Sequence, residues 1–461
     1  MQIGIGLGRS ILLARLLAVE TFGAYGWAHS VVALSAALPN FGLGSAFMHR
    51  APETEDEDQA ASVYFTLQLM LTLAWSIMLI LSAVIFVKDD ARRIALLWTT
   101  LITVGKRLAS TPRLVLMRRV IHSRLNLIQV VDIALSSVVA LALAWRGISL
   151  WALLATDAVT FLVSMIGLYV WRPVWCPRLT WQPKIMRYFI SFGSRNFIAE
   201  ALQYALDRVD DLWVGSYLGN TAMGLYSRAY TFAGYPRTIL AAPINTVSIG
   251  TYAELKDARK RLSQAFFRIN AFLVRSGFFV AGLFALVAPE FIRLALGAKW
   301  LPMLNVFRLM LVYTMFDPFK LTVANLLVAV GEPEKIARIR LIQLIVLLIG
   351  LFLLGPSWDI AGVALAVDAM LVVGIVGLLW QVRNYVDFSF PRLFVAPAWA
   401  LGIAMISARS AILLPGVLGS DWRTGFVKMI TFMVFYALIL LVLEHRDWLR
   451  MIQFCRSYWL R

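Results

Sequence analysis

Charge is scarce in this chain. Only 15% of its 461 residues are Asp, Glu, Lys or Arg, while 60% are hydrophobic; a soluble domain has about 25% charged and 45–50% apolar residues. That balance excludes an ordinary soluble fold and predicts an all-α integral membrane protein. Cysteine is nearly absent, with two residues, Cys176 and Cys455. Both fall in stretches assigned to the cytoplasmic side, so no disulfide is expected. The four histidines, His29, His49, His122 and His445, are scattered. With no HExxH or CxxC, no metal site is expected. There is no Walker A loop and hence no ATPase of its own. No aqueous loop exceeds about 20 residues, too few for a soluble catalytic domain, so no enzyme is expected. The first apolar stretch runs directly into the next, without the layout of a cleavable signal peptide.

Basic residues are in excess, at a net charge of +17. In a soluble protein this would suggest nucleic acid. In a membrane protein, Lys and Arg hold cytoplasmic loops against the inner leaflet, so membrane lipids are the expected partner and nucleic acid is not. Apolar stretches of about 17–25 residues mark spans. They fall at 3–17, 25–47, 61–87, 94–116, 127–145, 150–171, 188–206, 222–252, 269–291, 304–330, 341–354, 360–380, 393–414 and 426–443. This predicts about 14 helices arranged as six, six and two. The corresponding divisions are residues 1–180, 181–392 and 393–461, the last ending in a basic tail. The linker 172–187, rich in Trp, Pro and Arg, reads as an interfacial connection. Arg and Lys cluster after even-numbered spans, for example Arg118, Arg119 and Arg124, then Lys256, Arg259, Lys260 and Arg261. Both termini are therefore placed in the cytoplasm. The acidic loop with Glu53, Glu55, Asp56, Glu57 and Asp58 disagrees, but acids weigh little in this rule.

The chain also repeats itself. Residues 17–28, LAVETFGAYGWA, return as 218–229, LGNTAMGLYSRA, with Leu17, Gly23, Tyr25 and Ala28 matched 201 positions later. LATDA at 154–158 returns as LAVDA at 365–369, 211 positions later. Two echoes at nearly one offset predict a duplicated unit of about 200 residues. Six helices per unit is an even number, so the copies enter from the same side as parallel repeats, with the substrate expected in the cleft between them. By the same offset the first helix lacks roughly a dozen residues of a full span, which predicts a late start codon or a tilted first helix.

Charges inside spans face a cavity or a partner, and here they are mostly basic. Lys106 and Arg113 are seven apart on one face of the fourth span, and Arg107 and Arg118 lie on a neighbouring face. Arg9, Arg195, Arg228, Arg237, Arg275 and Arg308 add more. A cationic interior suits an anionic cargo, phosphate above all; the plainer alternative is snorkelling of individual side chains to headgroups. Arg228 and Arg237 are nine apart and share a cavity only if Pro236 bends their helix. Asp157 and Asp368, the acids of the second echo, are candidates to carry H⁺ or Na⁺; the plainer reading is a polar residue bonded between packed helices. Asp207, Arg208, Asp210 and Asp211 are expected to pair with one another at the outer surface. Gly23 and Gly224 are read as helix openers, Tyr25 and Tyr226 as interface residues, and Pro236, Pro243 and Pro318 as hinges or static kinks.

Residues 14–50 (ARLLAVETFGAYGWAHSVVALSAALPNFGLGSAFMHR), 210–244 (DDLWVGSYLGNTAMGLYSRAYTFAGYPRTILAAPI) and 294–300 (LALGAKW) resemble bacterial oligosaccharide flippases of the Wzx type. These belong to the multidrug/oligosaccharidyl-lipid/polysaccharide exporter superfamily. The resemblance implies 14 helices in two six-helix lobes plus a terminal pair, and alternating access. It implies a cargo of undecaprenyl-pyrophosphate-linked oligosaccharide, moved to the periplasmic leaflet for O-antigen, capsule or exopolysaccharide synthesis. Polysaccharide polymerase and export proteins would be its partners. It also implies that Arg9, Arg195, Arg228 and Arg237 hold the pyrophosphate. A cation-coupled multidrug antiporter of the same superfamily is the competing reading; it would want an acidic or aromatic cavity. A polysaccharide polymerase or glycosyltransferase would need a large outer catalytic loop.

Overall fold

The computed structural model describes residues 2–49, 57–413 and 420–444. The acids Glu53, Glu55 and Asp56, the basic tail with His445, and Cys455 lie outside the described residues. Within them the chain is helical and has no strand. The helices are α1 (Gln2–Leu16), α2 (Val19–Ser35), α3 (Ala37–Asn40), α4 (Leu43–His49), α5 (Glu57–Phe86), α6 (Asp90–Leu108), α7 (Ser110–Arg118) and α8 (His122–Trp145). They continue as α9 (Ser149–Met165), α10 (Pro183–Trp213), α11 (Gly219–Leu255), α12 (Arg259–Phe291), α13 (Leu304–Ala329), α14 (Pro333–Val382), α15 (Phe390–Ser410) and α16 (Asp421–Leu443).

These group into fourteen passages, as the apolar stretches predict. The pieces α2, α3 and α4 are one passage, bent by 50° after Asn40. The bend lies at Phe41 (φ 39°) and Gly42 (φ 65°), two consecutive residues in the left-handed region that ends a helix. The pair α6 and α7 is a second broken passage. Conversely, α14 carries two passages, because Trp358 and Asp359 leave helical geometry inside it (Asp359 φ 54°). Among the described residues, eight helices are long and apolar enough to cross a bilayer by composition, nine with the bent pair. Helix α1 has 15 residues, about 22 Å at 1.5 Å per residue, short of a hydrocarbon core of about 30 Å.

One boundary differs from the sequence expectation, and two spans run unbroken through their prolines. The charged run 207–211 does not end its helix, because α10 continues to Trp213 and then through a π-helical turn, Val214–Leu218. Helix α11 runs from Gly219 to Leu255 through Pro236 and Pro243. Likewise α13 runs through Pro318. Proline is tolerated inside membrane helices where neighbours satisfy the freed carbonyl.

The chain forms two compact units, Met1–Ser227 and Arg228–Arg461. In the first, α2 packs on α6 and α10, α5 on α6, and α8 on both α1 and α9. One core gathers Phe47, Tyr64, Trp175 and Phe189, and another Ala28, Trp75, Leu96 and Leu154. In the second unit α12 is the central post, packed on α13, α15 and α16, while α13 packs on α14. The terminal pair is fastened to that post by ionic contacts. Lys428 Nζ lies 2.5 Å from Glu290 Oε1, and Arg275 Nε donates to Glu444 at 2.6 Å. Large apolar side chains point outward on many helices, Ile85, Phe86 and Leu353 among them, as a lipid-facing surface requires.

Candidate functional site

The repeated motif is where the first unit closes on itself. Leu17, Tyr226, Ala28 and Ala229 are all buried. A Cβ placed on Gly23 would lie 1.8 Å from the backbone oxygen of Asn220, and one on Gly224 would lie 2.1 Å from that of Val19. Val19 and Asn220 are themselves one repeat apart, so each glycine meets the other copy's backbone at the equivalent place. The glycines are therefore close-approach residues between the starts of α2 and α11, beyond the helix-opening role expected of them. Polar bonds surround the contact. Thr221 Oγ1 donates to Glu20 Oε1 at 3.1 Å, and Trp27 Nε1 to Ser216 Oγ at 3.0 Å. Arg92 Nε donates to Asn220 Oδ1 at 2.6 Å, and Asn220 Nδ2 to Asp89 Oδ2 at 2.9 Å.

A polar cluster lies deeper in the same unit. Lys106 Nζ (α6) is 2.7 Å from Asp157 Oδ1 (α9), and Tyr25 OH (α2) donates to Asp157 Oδ2 at 2.9 Å. His29 stacks on Tyr25, one turn along α2. Arg9 (α1) donates to Ser136 Oγ (α8) at 3.0 Å. Asp132, one turn before Ser136, has a buried Oδ1 with no hydrogen-bond partner. Asp157 thus holds both a cation and a phenol. The twin residues depart from this pattern, since Tyr226 donates to Asp210 at 2.7 Å. Asp368 is buried with its Oδ1 unpartnered. Within the run 207–211, Arg208 and Asp211 do pair, at 3.1 Å, and Asp210 and Asp211 are both buried.

In the second unit, Arg237 Nη1 (α11) is 2.8 Å from Asp317 Oδ2 (α13), and Lys320 Nζ is 3.0 Å from Asp317 Oδ1. Arg237 Cζ and Lys320 Nζ also lie 5.7 and 5.6 Å from the Tyr313 ring centroid, within cation–π reach. Two cavities of about 10 Å³ border Arg237, each large enough for about one water.

The other basic candidates separate clearly. Arg113 is exposed on α7, which the break at Ala109 detaches from α6; it does not join Lys106. Arg107 donates to Ala36 O at 2.9 Å and Arg118 to Phe47 O at 3.3 Å. Arg195 is exposed and folds back on Ser191. Arg275 is engaged by Glu444, and Arg308 donates to Ala285 O at 3.3 Å. Arg228 is half-buried on α11. Two further groups join these sites, one of them readable from the sequence. Lys320 follows Asp317 by three positions, the spacing of a helical ion pair. Glu200 accepts from Asn40 Nδ2 at 2.8 Å and Ser45 Oγ at 2.9 Å, so it holds both sides of the break between α3 and α4.

Residues 12–305 match the family described as polysaccharide biosynthesis protein. The succinoglycan biosynthesis transport protein ExoT of Rhizobium meliloti is 26% identical over 299 residues, 63% of this chain and 58% of that protein. The lipopolysaccharide biosynthesis protein WzxC of Escherichia coli is 20% identical over 471 residues, 99% of this chain and 94% of that protein. The teichuronic acid biosynthesis protein TuaB of Bacillus subtilis is 26% identical over 141 residues, so the chain spans 58% and 29% of ExoT and TuaB. Among solved structures, the lipid II flippase MurJ in an inward closed conformation superposes with a TM-score of 0.78 at 13% identity, over 97% of this chain and 98% of that one. An inward-facing multidrug MATE transporter of the MOP superfamily gives 0.62 at 17% identity, over 84% and 94%. The fold is the one these transporters share, and the resemblance carried by residues 14–50, 210–244 and 294–300 holds. The chain belongs to the polysaccharide biosynthesis protein family.

Proposed function

We propose that this chain flips an undecaprenyl-pyrophosphate-linked oligosaccharide across the bacterial inner membrane by alternating access, supplying surface polysaccharide synthesis. It acts as a transporter and not as an enzyme, with both termini in the cytoplasm and H⁺ or Na⁺ as the coupling ion. Polysaccharide polymerase and export proteins are its partners. The observation that carries the reading is basic charge held inside membrane helices, above all the half-buried Arg237 beside its cavities. Guanidinium groups suit pyrophosphate because they present several donors in a fixed fork. Membership of the family and the names of ExoT and WzxC, a transport protein and a biosynthesis protein of surface polymers, support the same reading. Arg9 and Arg228 are the further half-buried candidates; Lys106 and Arg275, like Arg237, are each paired with an acid. Asp157 and Asp368 remain the coupling acids of this proposal. A multidrug antiporter for organic cations fits less well, since the interior cations would repel its cargo.

Lipids extracted from cells lacking the gene test this directly. A lipid-pyrophosphate oligosaccharide should accumulate, be cleared by the wild-type gene, and persist with Arg237→Ala at equal expression. If no such lipid accumulates while efflux of a cationic dye falls, the antiporter takes its place.

A further inference from the structure

We propose that Arg237 and Lys320 are the two arms of one anion-binding site, that Asp317 is its built-in counter-anion, and that a phosphate of the cargo takes the carboxylate's place. The identity of the cargo rests on the function proposed above; the site rests on its own geometry.

Tyr313, Asp317 and Lys320 are spaced i, i+4 and i+7 on α13, which puts all three on one face. Helix α11 brings Arg237 to that face. Thr314 donates to Ala233 O and Asn325 to Asn245 O, across sequence separations of 81 and 80. The ion pair spans the same separation of 80. A constant separation means that the two helices run parallel in fixed register, so Arg237 is aimed by the backbone and by more than its own side-chain freedom.

The charges in this cluster do not balance. Asp317, at 2% side-chain exposure, is shared by Arg237 at 32% and Lys320 at 17%. Two cations face one carboxylate, leaving one positive charge uncompensated inside a membrane helix pair. Such a charge is costly unless an anion or water meets it. The cavities beside Arg237 offer little else. One is lined by Ala241, Ser276 and Thr314, and the other by Ala233, Gly234 and Tyr313, with no acid in either lining.

A phosphate or pyrophosphate group carries enough negative charge for both cations and has the oxygen geometry for a guanidinium fork. Asp317 already occupies the place such a group needs, between Nη1 of Arg237 and Nζ of Lys320. An anion can enter only by displacing it. The carboxylate then has two effects. It keeps the cations compensated between loads, and it competes with the cargo, so a bound phosphate is released more readily than from a bare pair of cations. The Tyr313 ring, touched by both cations, keeps the two arms in place while the anion changes.

The experiment measures binding of inorganic pyrophosphate to the purified full-length chain in detergent, by calorimetry. Asp317→Asn should tighten binding at least tenfold, because the competitor is gone. Lys320→Gln and Arg237→Gln should each weaken it at least tenfold, and Arg409→Gln, exposed on α15, should not change it. Unchanged or weaker binding in a folded Asp317→Asn protein overturns the counter-anion. If Asp317→Asn does not fold, Lys320→Gln decides instead, since it keeps the Arg237–Asp317 pair; binding equal to wild type overturns the site. Repeating the titration in nanodiscs separates the sources of phosphate. Strong competition by phosphatidylglycerol assigns the site to headgroups and overturns the cargo assignment; no competition supports it. A gene deletion that accumulates no lipid-linked oligosaccharide would sink the proposed function while leaving this order of affinities to be read separately.

Discussion

The glycine contact at the start of α11 makes the sharpest stability prediction. In Gly224→Ala the new Cβ would sit 2.1 Å from Val19 O, 2.8 Å from Val19 Cγ1 and 3.0 Å from Val19 C. Ordinary contact begins at 3.4 Å, so the α2 and α11 starts must part by roughly 1.3 Å, the overlap that close packing has to relieve. The obstacle is backbone, and no rotamer change relieves it. Overpacking of this kind costs about 1–3 kcal/mol, with the upper half expected where the neighbour cannot move aside. For a unit of this size that lowers the Tm by about 4–12 °C. The separation also stretches the bonds from Thr221 to Glu20 and from Trp27 to Ser216, at 3.1 and 3.0 Å.

Gly23→Ala should cost about as much, because its Cβ would meet Asn220 O at 1.8 Å. The two replacements relieve one shared contact, so the double variant should lose less than the sum, by about 0.5–3 kcal/mol. Gly250→Ala is the control. Its Cβ meets nothing within 4 Å, and removing a mid-helix glycine should stabilise by about 0.5–1 kcal/mol. Thermal unfolding in detergent, followed by tryptophan fluorescence with Trp27 close to the contact, measures all four. A Gly224→Ala Tm within about 1 °C of wild type, or strict additivity in the double variant, would refute the reciprocal packing.

Lys428→Met should cost about 3–5 kcal/mol, because it strands Glu290, whose Oε2 already lacks a partner. Adding Glu290→Gln should recover most of that loss, and limited proteolysis of α15–α16 reads both outcomes. Asp89 is partly buried, which raises its pKa, yet hydrogen bonds from the backbone of Arg92, the Asn220 amide and the backbone of Ala91, with the Arg92 charge, hold it below the ordinary 3.8. A folded pKa below the unfolded one gives stability that is present above pH 3.8 and lost as pH falls through the folded value. Wild-type Tm should therefore drop more steeply than that of Asp89→Asn in that acid window; parallel curves would show that the Asp89 hydrogen bonds carry no such stability. Cys176 is free and exposed. In a Cys455→Ser background, an impermeant maleimide should label it in inside-out vesicles and leave it untouched in intact spheroplasts, and the opposite result reverses the proposed topology.

The passages were legible because length and hydropathy alone decide what can cross a bilayer. The echo at 17–28 and 218–229 was legible because the fold is duplicated there. What the glycines do was not, since a glycine pattern is the same whether it opens a helix or admits another backbone, and only the partner tells the two apart. The same limit applies to charges. Lys106 and Arg113 share a face on an unbroken helix, but the break at Ala109 separates them; Pro112, three residues on, was the readable signal, since it has no N–H for Leu108 O and belongs in the first turn of a new helix. Lys320 could have been read from its i+3 spacing to Asp317. Glu200 could not, because its partners Asn40 and Ser45 are about 160 positions away. Pro236 and Pro318, read as hinges or static kinks, lie inside helices that run on without a break, while α14 bends at Trp358–Asp359, two residues beyond Pro356.

The two acids of the second echo show how duplication can preserve a residue without preserving its circumstances. Asp157 is held by Lys106 at 2.7 Å and Tyr25 at 2.9 Å; Asp368 has a buried Oδ1 with no partner. Removing the charge of Asp157 strands a lysine in the membrane interior, though Lys106 at 34% side-chain exposure keeps part of its surroundings. Asp157→Asn should therefore cost less than a fully buried broken pair, about 1–3 kcal/mol. Asp368→Asn replaces a carboxyl by an amide of equal size and strands no cation, so its Tm should stay within about 1 °C of wild type. If Asp368 is a coupling acid, that same variant loses transport while keeping its stability, a separation that a merely structural residue does not give. Equal thermal losses in the two variants would show that the Lys106 pairing is not what distinguishes them. A larger loss at Asp368 would mean that its carboxylate has a partner on which the fold depends.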